Sequence, residues 1–281
     1  MNNIIITLTT IPTRLDSTYN YNMKYCIESL LNQSYTGNYE IHINIPQIYK
    51  RTGEEYIIPP WLNSITDKRL KIYRTDDCGS ITKLLPTLDR VDKKEDVIII
   101  VVDDDIVYHE DLISEHIKNR EIWPNYAVGY DGLRSRNIDG SRSNFYNDIR
   151  DHYFTATGTN SLVDILQHYK SISYKRSFFG KDFSKFVDTH GTWCDDTTVS
   201  AYLAKHKIAR LCTFHPDDKL FSSVDEYLSN LRHTFPIIKH TEHDSLEGCN
   251  LTRADDNSSD KETYMYKCFL DDAYSNNTWV I

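Results

Sequence analysis

Three aspartates, Asp103, Asp104 and Asp105, stand directly after six consecutive valines and isoleucines, Val97 to Val102. An aliphatic run without a polar break reads as a strand buried on both faces, the kind found in parallel sheets. Open α/β sheets bind ligands outside the carboxyl ends of their strands, so the triplet falls where such folds do chemistry. Asp103 and Asp105 are hard oxygen donors of the type that holds Mg2+ or Mn2+ against phosphate oxygens. The competing reading is an N-terminal cap for a helix expected at 109–120. One aspartate would suffice for a cap. The pattern points to a metal-dependent enzyme acting on a phosphorylated substrate.

Three further segments carry chemistry. Trp193-Cys-Asp195-Asp196 opens a helix expected at 194–205, and a carboxylate at a helix N-terminus is stabilised as the anion and held rigidly. Either aspartate could take a proton from an incoming hydroxyl; spacing does not rank them, and capping is the plain alternative. Thr9-Thr-Ile-Pro-Thr-Arg14 follows the first strand with hydroxyls, amides and a guanidinium suited to a nucleotide. No Rossmann-type glycine fingerprint accompanies it, which argues against a nicotinamide cofactor. In Asp76-Asp77-Cys-Gly-Ser-Ile-Thr-Lys83, an acid beside a turn can accept the imide N–H of uracil, and Lys83 can approach a phosphate. Taken singly, each of these last two segments also reads as an ordinary turn. Among eleven histidines, His215, His240 and His243 are candidates to complete a metal shell.

The elements that must position these residues follow from periodicity. Strands are expected at 4–8, 39–45, 70–73, 96–102 and 207–214, and a strand pair or bent strand at 164–175. Helices are expected at 17–33, at 81–88 (bent or stopped near Pro86), at 109–120, at 194–205 and at 263–273. Residues 46–66 hold Pro46, Gly53, Pro59 and Pro60 and read as irregular. Residues 131–160 are polar and glycine-containing, a long excursion of the sort that carries substrate contacts. Tyr169 and Trp193 would join it in lining a substrate pocket. The element order implies an α/β fold with a mostly parallel central sheet flanked by helices.

Composition narrows the partners. The chain has 281 residues, 40% of them apolar, and a net charge of −9. That length suits one large α/β domain. Clustered Lys and Arg are needed to neutralise nucleic-acid phosphates, so a nucleic-acid partner is not expected. The six cysteines (26, 78, 194, 212, 249 and 268) include no C-x-x-C pair; zinc is not indicated, and free thiols in a reducing compartment are expected. The chain opens straight into a strand and holds no membrane-spanning run. A soluble, cytoplasmic protein is expected, without leader or membrane span.

These motifs, in this order, resemble a known family. Thr9-Thr-Ile-Pro-Thr-Arg14, Glu28-Ser-Leu-Leu-Asn-Gln33, Gly79-Ser-Ile-Thr-Lys83 and Ile100-Val-Val-Asp-Asp-Asp105 look like the ordered motifs of GT-A-fold glycosyltransferases carrying a DXD motif. More narrowly they are similar to bacterial and giant-virus enzymes, among them chlorovirus-type enzymes that build capsid glycans, which would place the protein in the host cytoplasm. The resemblance runs from residue 4 to about 115. It continues weakly through Asp164-Ile-Leu-Gln-His-Tyr169, Tyr174-Lys-Arg-Ser-Phe-Phe179 and Asp195-Asp196. It implies one GT-A (Rossmann-like) catalytic domain over 1–281, with a nucleotide-sugar half at 1–108 and an acceptor half at 109–281. It also implies a nucleotide-sugar donor, most often a UDP-sugar such as UDP-xylose, UDP-glucose or UDP-galactose, a glycan acceptor, and Mn2+ or Mg2+. Asp105 would bind the metal, Asp103 ribose or metal, and Asp104 the donor sugar. Thr9, Arg14, Asp77 and Lys83 would hold the nucleotide. Asp195 or Asp196 would deprotonate the acceptor in an inverting reaction. The chain departs from the family at Gly79-Ser-Ile-Thr, where Pro and Ala are usual, and at Gln167-His168, where an acid and glycine are usual.

Two other readings fit parts of the chain. Asp103-Asp-Asp-Ile-Val107 matches the D-x-D-x-V nucleophile motif of haloacid-dehalogenase-like phosphatases. There, however, the motif normally follows the first strand, and no later G-D-x-x-x-D follows a strand here. A non-catalytic sugar-binding module descended from an enzyme is the other.

Overall fold

The computed structural model describes residues 3–18, 22–93, 97–133, 160–190, 195–213 and 221–223. An eight-stranded sheet runs through them. In chain order its strands are β1 (Asn3–Thr9), β2 (Tyr39–Pro46), β3 (Leu70–Thr75), β4 (Val97–Val101), β5 (Ala127–Gly129), β6 (Ser161–Leu162), β7 (Ile172–Lys175) and β8 (Arg210–Cys212). Side by side they lie in the order β6-β8-β5-β7-β4-β1-β2-β3. Neighbours from β4 through β1 and β2 to β3 are parallel. β7 is antiparallel to both β4 and β5, and β6 is antiparallel to β8.

The helices are α1 (Pro12–Leu15), α2 (Lys24–Leu31), α3 (Pro60–Asn63), α4 (Leu85–Arg90), α5 (Leu112–Ile122), α6 (Phe183–His190) and α7 (Asp195–Lys205). The pleat of β1 and β4 sorts the core into two layers. Ile4, Ile6, Leu8, Ile98, Ile100 and Val102 pack with α2 and α5. Ile5, Val97, Ile99 and Val101 pack with α4, α6 and α7. The run Val97–Val101 is therefore apolar at every position because both its faces meet helices. The α/β class and the mostly parallel central sheet match the reading from sequence.

Several boundaries differ, each for a local reason. The helix expected from residue 17 begins only at Lys24. Asp16 accepts from the backbone N–H and hydroxyl of Thr18, and Asn22 accepts from the N–H of Lys24, so short polar side chains divert the backbone before the helix. Pro86 does not stop a helix but sits in the first turn of α4, where its missing N–H costs nothing; residues Gly79–Lys83 form a separate 3-10 turn. Gly79 has φ +72, a left-handed value that glycine adopts without strain. The segment 164–175 divides into Ile165–Leu166, which pairs with Gly132–Leu133, and β7, with a 3-10 turn at His168–Lys170 between them. Within 46–66 a short hairpin joins Ile48–Tyr49 to Glu54–Glu55. The helix expected at 263–273 and most of the excursion at 131–160 lie outside the described residues, as do His215, His240 and His243.

Topology decides what meets at the carboxyl edge of the sheet. The loops after β1, β3 and β4 leave from that edge. β7 runs the other way, with Ile172 opposite Val101, so the turn before it, at His168–Lys170, arrives at the same edge. α7 leads into β8, which runs parallel to β5, and its N-terminus therefore starts there too. Among the described residues no helix is long and apolar enough to cross a membrane.

Ile100 is fully buried in β4. Ile100→Ala is expected to cost about 2–5 kcal/mol. Urea unfolding should show it as a lower midpoint with an unchanged slope.

Candidate active site

The aspartate triplet lies in the turn between β4 and the short strand Ile106–Tyr108, and it caps no helix: α5 starts at Leu112 with Asp111 before it. The turn is pinned from below. The Tyr108 hydroxyl accepts from the N–H of Asp103 at 3.0 Å, and the Cys26 thiol donates to the Asp103 carbonyl at 3.3 Å.

Each aspartate then faces a different partner. Asp104 turns inward, with Oδ2 2.5 Å from the Thr10 hydroxyl and Oδ1 hydrogen-bonded to Arg14. Arg14 also reaches Asp105 Oδ2 at 2.8 Å. Asp103 meets Lys83 Nζ at 2.5 Å. Asp104, the residue that the resemblance implied for the donor sugar, thus accepts from Thr10 at one oxygen and from Arg14 at the other. Burial, together with the neighbouring charges of Asp104 and Asp103, pushes Asp105 up to about 6 against the pull of Arg14.

Lys83 is held by its backbone as well as its ammonium. Its carbonyl accepts from Thr7 Oγ1 at 2.5 Å and from Asn44 Nδ2 at 3.2 Å, and Thr87 and Arg90 complete that buried network. This fixes the 3-10 turn over β1 and β2 and sends the side chain between two acids. Lys83 Nζ lies 2.9 Å from Asp195 Oδ2. His168 Nδ1 lies 2.8 Å from that same oxygen and 2.7 Å from Asp196 Oδ1. The result is a line of alternating charge: Asp103, Lys83, Asp195, His168, Asp196.

Electrostatics follow from that line. Burial disfavours a charged imidazole at His168, but Asp195 and Asp196 outweigh it and raise the group to about 9. Burial likewise opposes charge on Asp195, and Lys83 and His168 override it, holding the carboxyl well below its ordinary range. With His168 protonated, Nδ1 donates to Asp196 Oδ1 while Asp195 Oδ2 faces it as an ion-pair partner, and Nε2, 2.9 Å from the Tyr174 hydroxyl, donates there.

Asp195 and Asp196 can now be ranked. Asp195 is engaged by two cations and its side chain is 10% exposed; that of Asp196 is 26% exposed. Asp196 takes the backbone N–H and Nδ1 of His168 on Oδ1, leaving Oδ2 without a partner among the described residues. Asp196 is the better placed to accept a proton.

The other expected site residues fall differently. Thr9 donates to the Asn44 carbonyl at 2.7 Å and holds β1 to β2. Asp77 is buried, its carboxylate accepting the N–H groups of Lys50 at 2.9 Å and Gly79 at 2.7 Å, so it shapes the turn that leads to Lys83. The Tyr169 hydroxyl donates to buried Asp131. Trp193 lies outside the described residues. Thr10 and His168 were not singled out from sequence. Thr10 adjoins Thr9 in the same motif, and His168 occupies one of the two places where the family pattern breaks. Ser80, in the other, has its hydroxyl 3.2 Å from the N–H of Asp195.

Among the described residues, five carboxylates thus meet three basic side chains, an excess of two negative charges with His168 protonated. One divalent cation offsets that excess, and the hard oxygens of Asp103 and Asp105 are suited to it. His168, Asp195 and Asp196 also bring possible ligand atoms within 4.8 Å of one another. There the imidazole nitrogen that faces the carboxylates is the one paired with Asp196 Oδ1 at 2.7 Å, so a cation would have to displace the proton of that hydrogen bond. Of the cysteines, Cys26, Cys78 and Cys212 are free.

Removing Lys83 leaves Asp103 and Asp195 without their shared counter-charge. Lys83→Met is expected to destabilise by about 3 kcal/mol, and adding Asp195→Asn to recover part of the loss, in denaturant unfolding of both variants. His168 gives a pH signature. Its folded value of about 9 lies above the ordinary 6.5. Its stabilising contribution is therefore complete below pH 6.5 and is lost as the pH rises through 9. The difference in melting temperature between wild type and His168→Gln should be largest below pH 6.5 and shrink across that window.

Comparison with known proteins adds no assignment to this geometry: no family model matches the chain, and no curated protein matches it.

Proposed function

We propose that the chain is a metal-dependent glycosyltransferase of GT-A type. It would move a sugar from a nucleotide-sugar donor, a UDP-sugar such as UDP-xylose, UDP-glucose or UDP-galactose, to a glycan hydroxyl with inversion. The observation that carries the reading is the line from Asp103 through Lys83 and Asp195 to Asp196. It joins the triplet at the carboxyl edge of the sheet to an acid at the start of α7. An enzyme that must hold a diphosphate at one end and deprotonate a hydroxyl at the other needs these two groups side by side.

Asp103 and Asp105 would hold Mn2+ or Mg2+. Bound there, such an ion supplies a counter-charge for the departing diphosphate. Arg14 and Lys83 pair with those acids, and both suit phosphate oxygens. On the other side, Asp196 Oδ2 receives the acceptor's hydroxyl proton as that oxygen bonds to the anomeric carbon. The bond from that carbon to the diphosphate oxygen breaks, and its electron pair leaves with the diphosphate. Attack from the face opposite the leaving group inverts the centre. Burial of Lys83 and Asp195 keeps water from screening the charges between the two ends.

The test is turnover. Wild type incubated with Mn2+ and a panel of nucleotide sugars should release UDP from one of them. Asp196→Asn should lower kcat by about 10²–10⁴-fold with donor KM little changed. Asp195→Asn should lower stability as well as rate, because it opens the pairing of Lys83 and His168. Release from no donor, or full turnover by Asp196→Asn, would end the reading. A phosphorylated Asp103 trapped with a phosphate ester would replace it with the phosphatase.

A further inference from the structure

His168 touches neither the triplet nor Arg14 in the contacts above, yet it is fixed more fully than the acid it serves. Its side chain is 1% exposed. Nδ1 lies between Asp195 Oδ2 and Asp196 Oδ1, Nε2 meets the Tyr174 hydroxyl, and its backbone N–H reaches Asp196 Oδ1 at 2.9 Å. Asp196 is thus gripped at one oxygen by two donors that belong to a single residue. Those donors come from the 3-10 turn His168–Lys170, which β7 anchors against β4.

We propose that His168 is a positioning residue for the proton-accepting carboxylate. It holds Asp196 Oδ1 so that Oδ2 faces the acceptor, and through Asp195 and Lys83 it ties that carboxylate to Asp103 on the donor side. The proposal rests on the glycosyl-transfer reading. Two bonds to one oxygen remove the rotation of the carboxylate about its stem, and a base that cannot swing away spends more time aligned with the attacking hydroxyl. Tyr174, from β7, holds Nε2 and so restricts rotation of the imidazole about its Cβ–Cγ bond. Asp195 keeps a negative charge beside the imidazole when Asp196 has taken up the acceptor's proton. The groups facing His168 are Asp195 and Asp196 from α7 and Tyr174 from β7, with Lys83 behind Asp195.

The test compares wild type, His168→Ala, His168→Asn, Asp196→Asn and the double variant His168→Ala/Asp196→Asn. The donor is whichever nucleotide sugar wild type turns over fastest in Mn2+. Binding of UDP with Mn2+ is measured on each protein by calorimetry. His168→Ala should lower kcat on the order of 10- to 100-fold, with donor KM and UDP affinity within about two-fold of wild type. His168→Asn returns an amide N–H near the place of Nδ1 and should recover to within about five-fold of wild type. The double variant should be no slower than Asp196→Asn alone, because a positioning residue has nothing left to position. Should His168→Ala fail to fold, His168→Gln, which keeps the bulk but displaces the donor, takes its place. Wild-type kcat in His168→Ala would overturn the proposal. So would a loss of UDP affinity that parallels the loss of rate, or an equal further slowing in the Asp196→Asn background. Those results leave glycosyl transfer standing, whereas a wild-type protein that turns over no donor removes both.

Discussion

Carboxylates crowded together, Asp104 and Asp195 buried and the others partly so, are the constraint on which this structure turns. Asp103, Asp104, Asp105, Asp195 and Asp196 converge on one edge of the sheet, and charge of one sign cannot be buried alone. The fold answers by interleaving Arg14, Lys83 and His168 among them. Each cation is itself anchored. Arg14 sits on α1, whose turn is held by the Tyr56 hydroxyl on Thr10 O and the Trp61 indole N–H on Leu15 O. Lys83 rests on the Thr7–Asn44–Thr87 network, and His168 on the turn before β7. The buried polar groups beneath the site are thus parts of the apparatus that fixes its charges.

The reversed strand β7 matters to the same end. Were it parallel to β4, the turn carrying His168 would lie at the opposite edge, and Asp195 and Asp196 would face Lys83 alone. Its antiparallel pairing with β4, from Ile172 opposite Val101 to Lys175 opposite Ile98, brings the imidazole to the acids. Asp131 arrives from the end of β5 at that edge too. It is buried, bound by the Tyr169 hydroxyl and 3.6 Å from Lys170 Nζ, a second acid and cation beside the first set.

Much of this was legible in the chain, and the limits have physical causes. The run Val97 to Val102 announced a two-sided strand because aliphatic burial on both faces leaves no other pattern. The triplet, Arg14, Lys83, Asp195 and Asp196 stood out as acids and bases beside element ends, and the fold does bring them together. Asp77 and Thr9 looked the same from sequence, but their polar atoms close a turn and a strand pair, a distinction that lies in which amide points where. His168 was hidden because a histidine between two short strands carries no periodic signal, and its partners are twenty-seven and twenty-eight residues away. The direction of β7 was equally hidden, since hydrophobic pattern does not record strand polarity.

The central claim is that Asp103 and Asp105 form a divalent-cation site shared with a nucleotide diphosphate. Crystals grown with UDP and Mn2+ test it most directly through the anomalous scattering of manganese. The account predicts one peak within coordination reach of the Asp103 and Asp105 carboxylates, with the diphosphate of UDP against it. A peak held instead by His168, Asp195 and Asp196, or no peak at saturating Mn2+ and UDP, would contradict it.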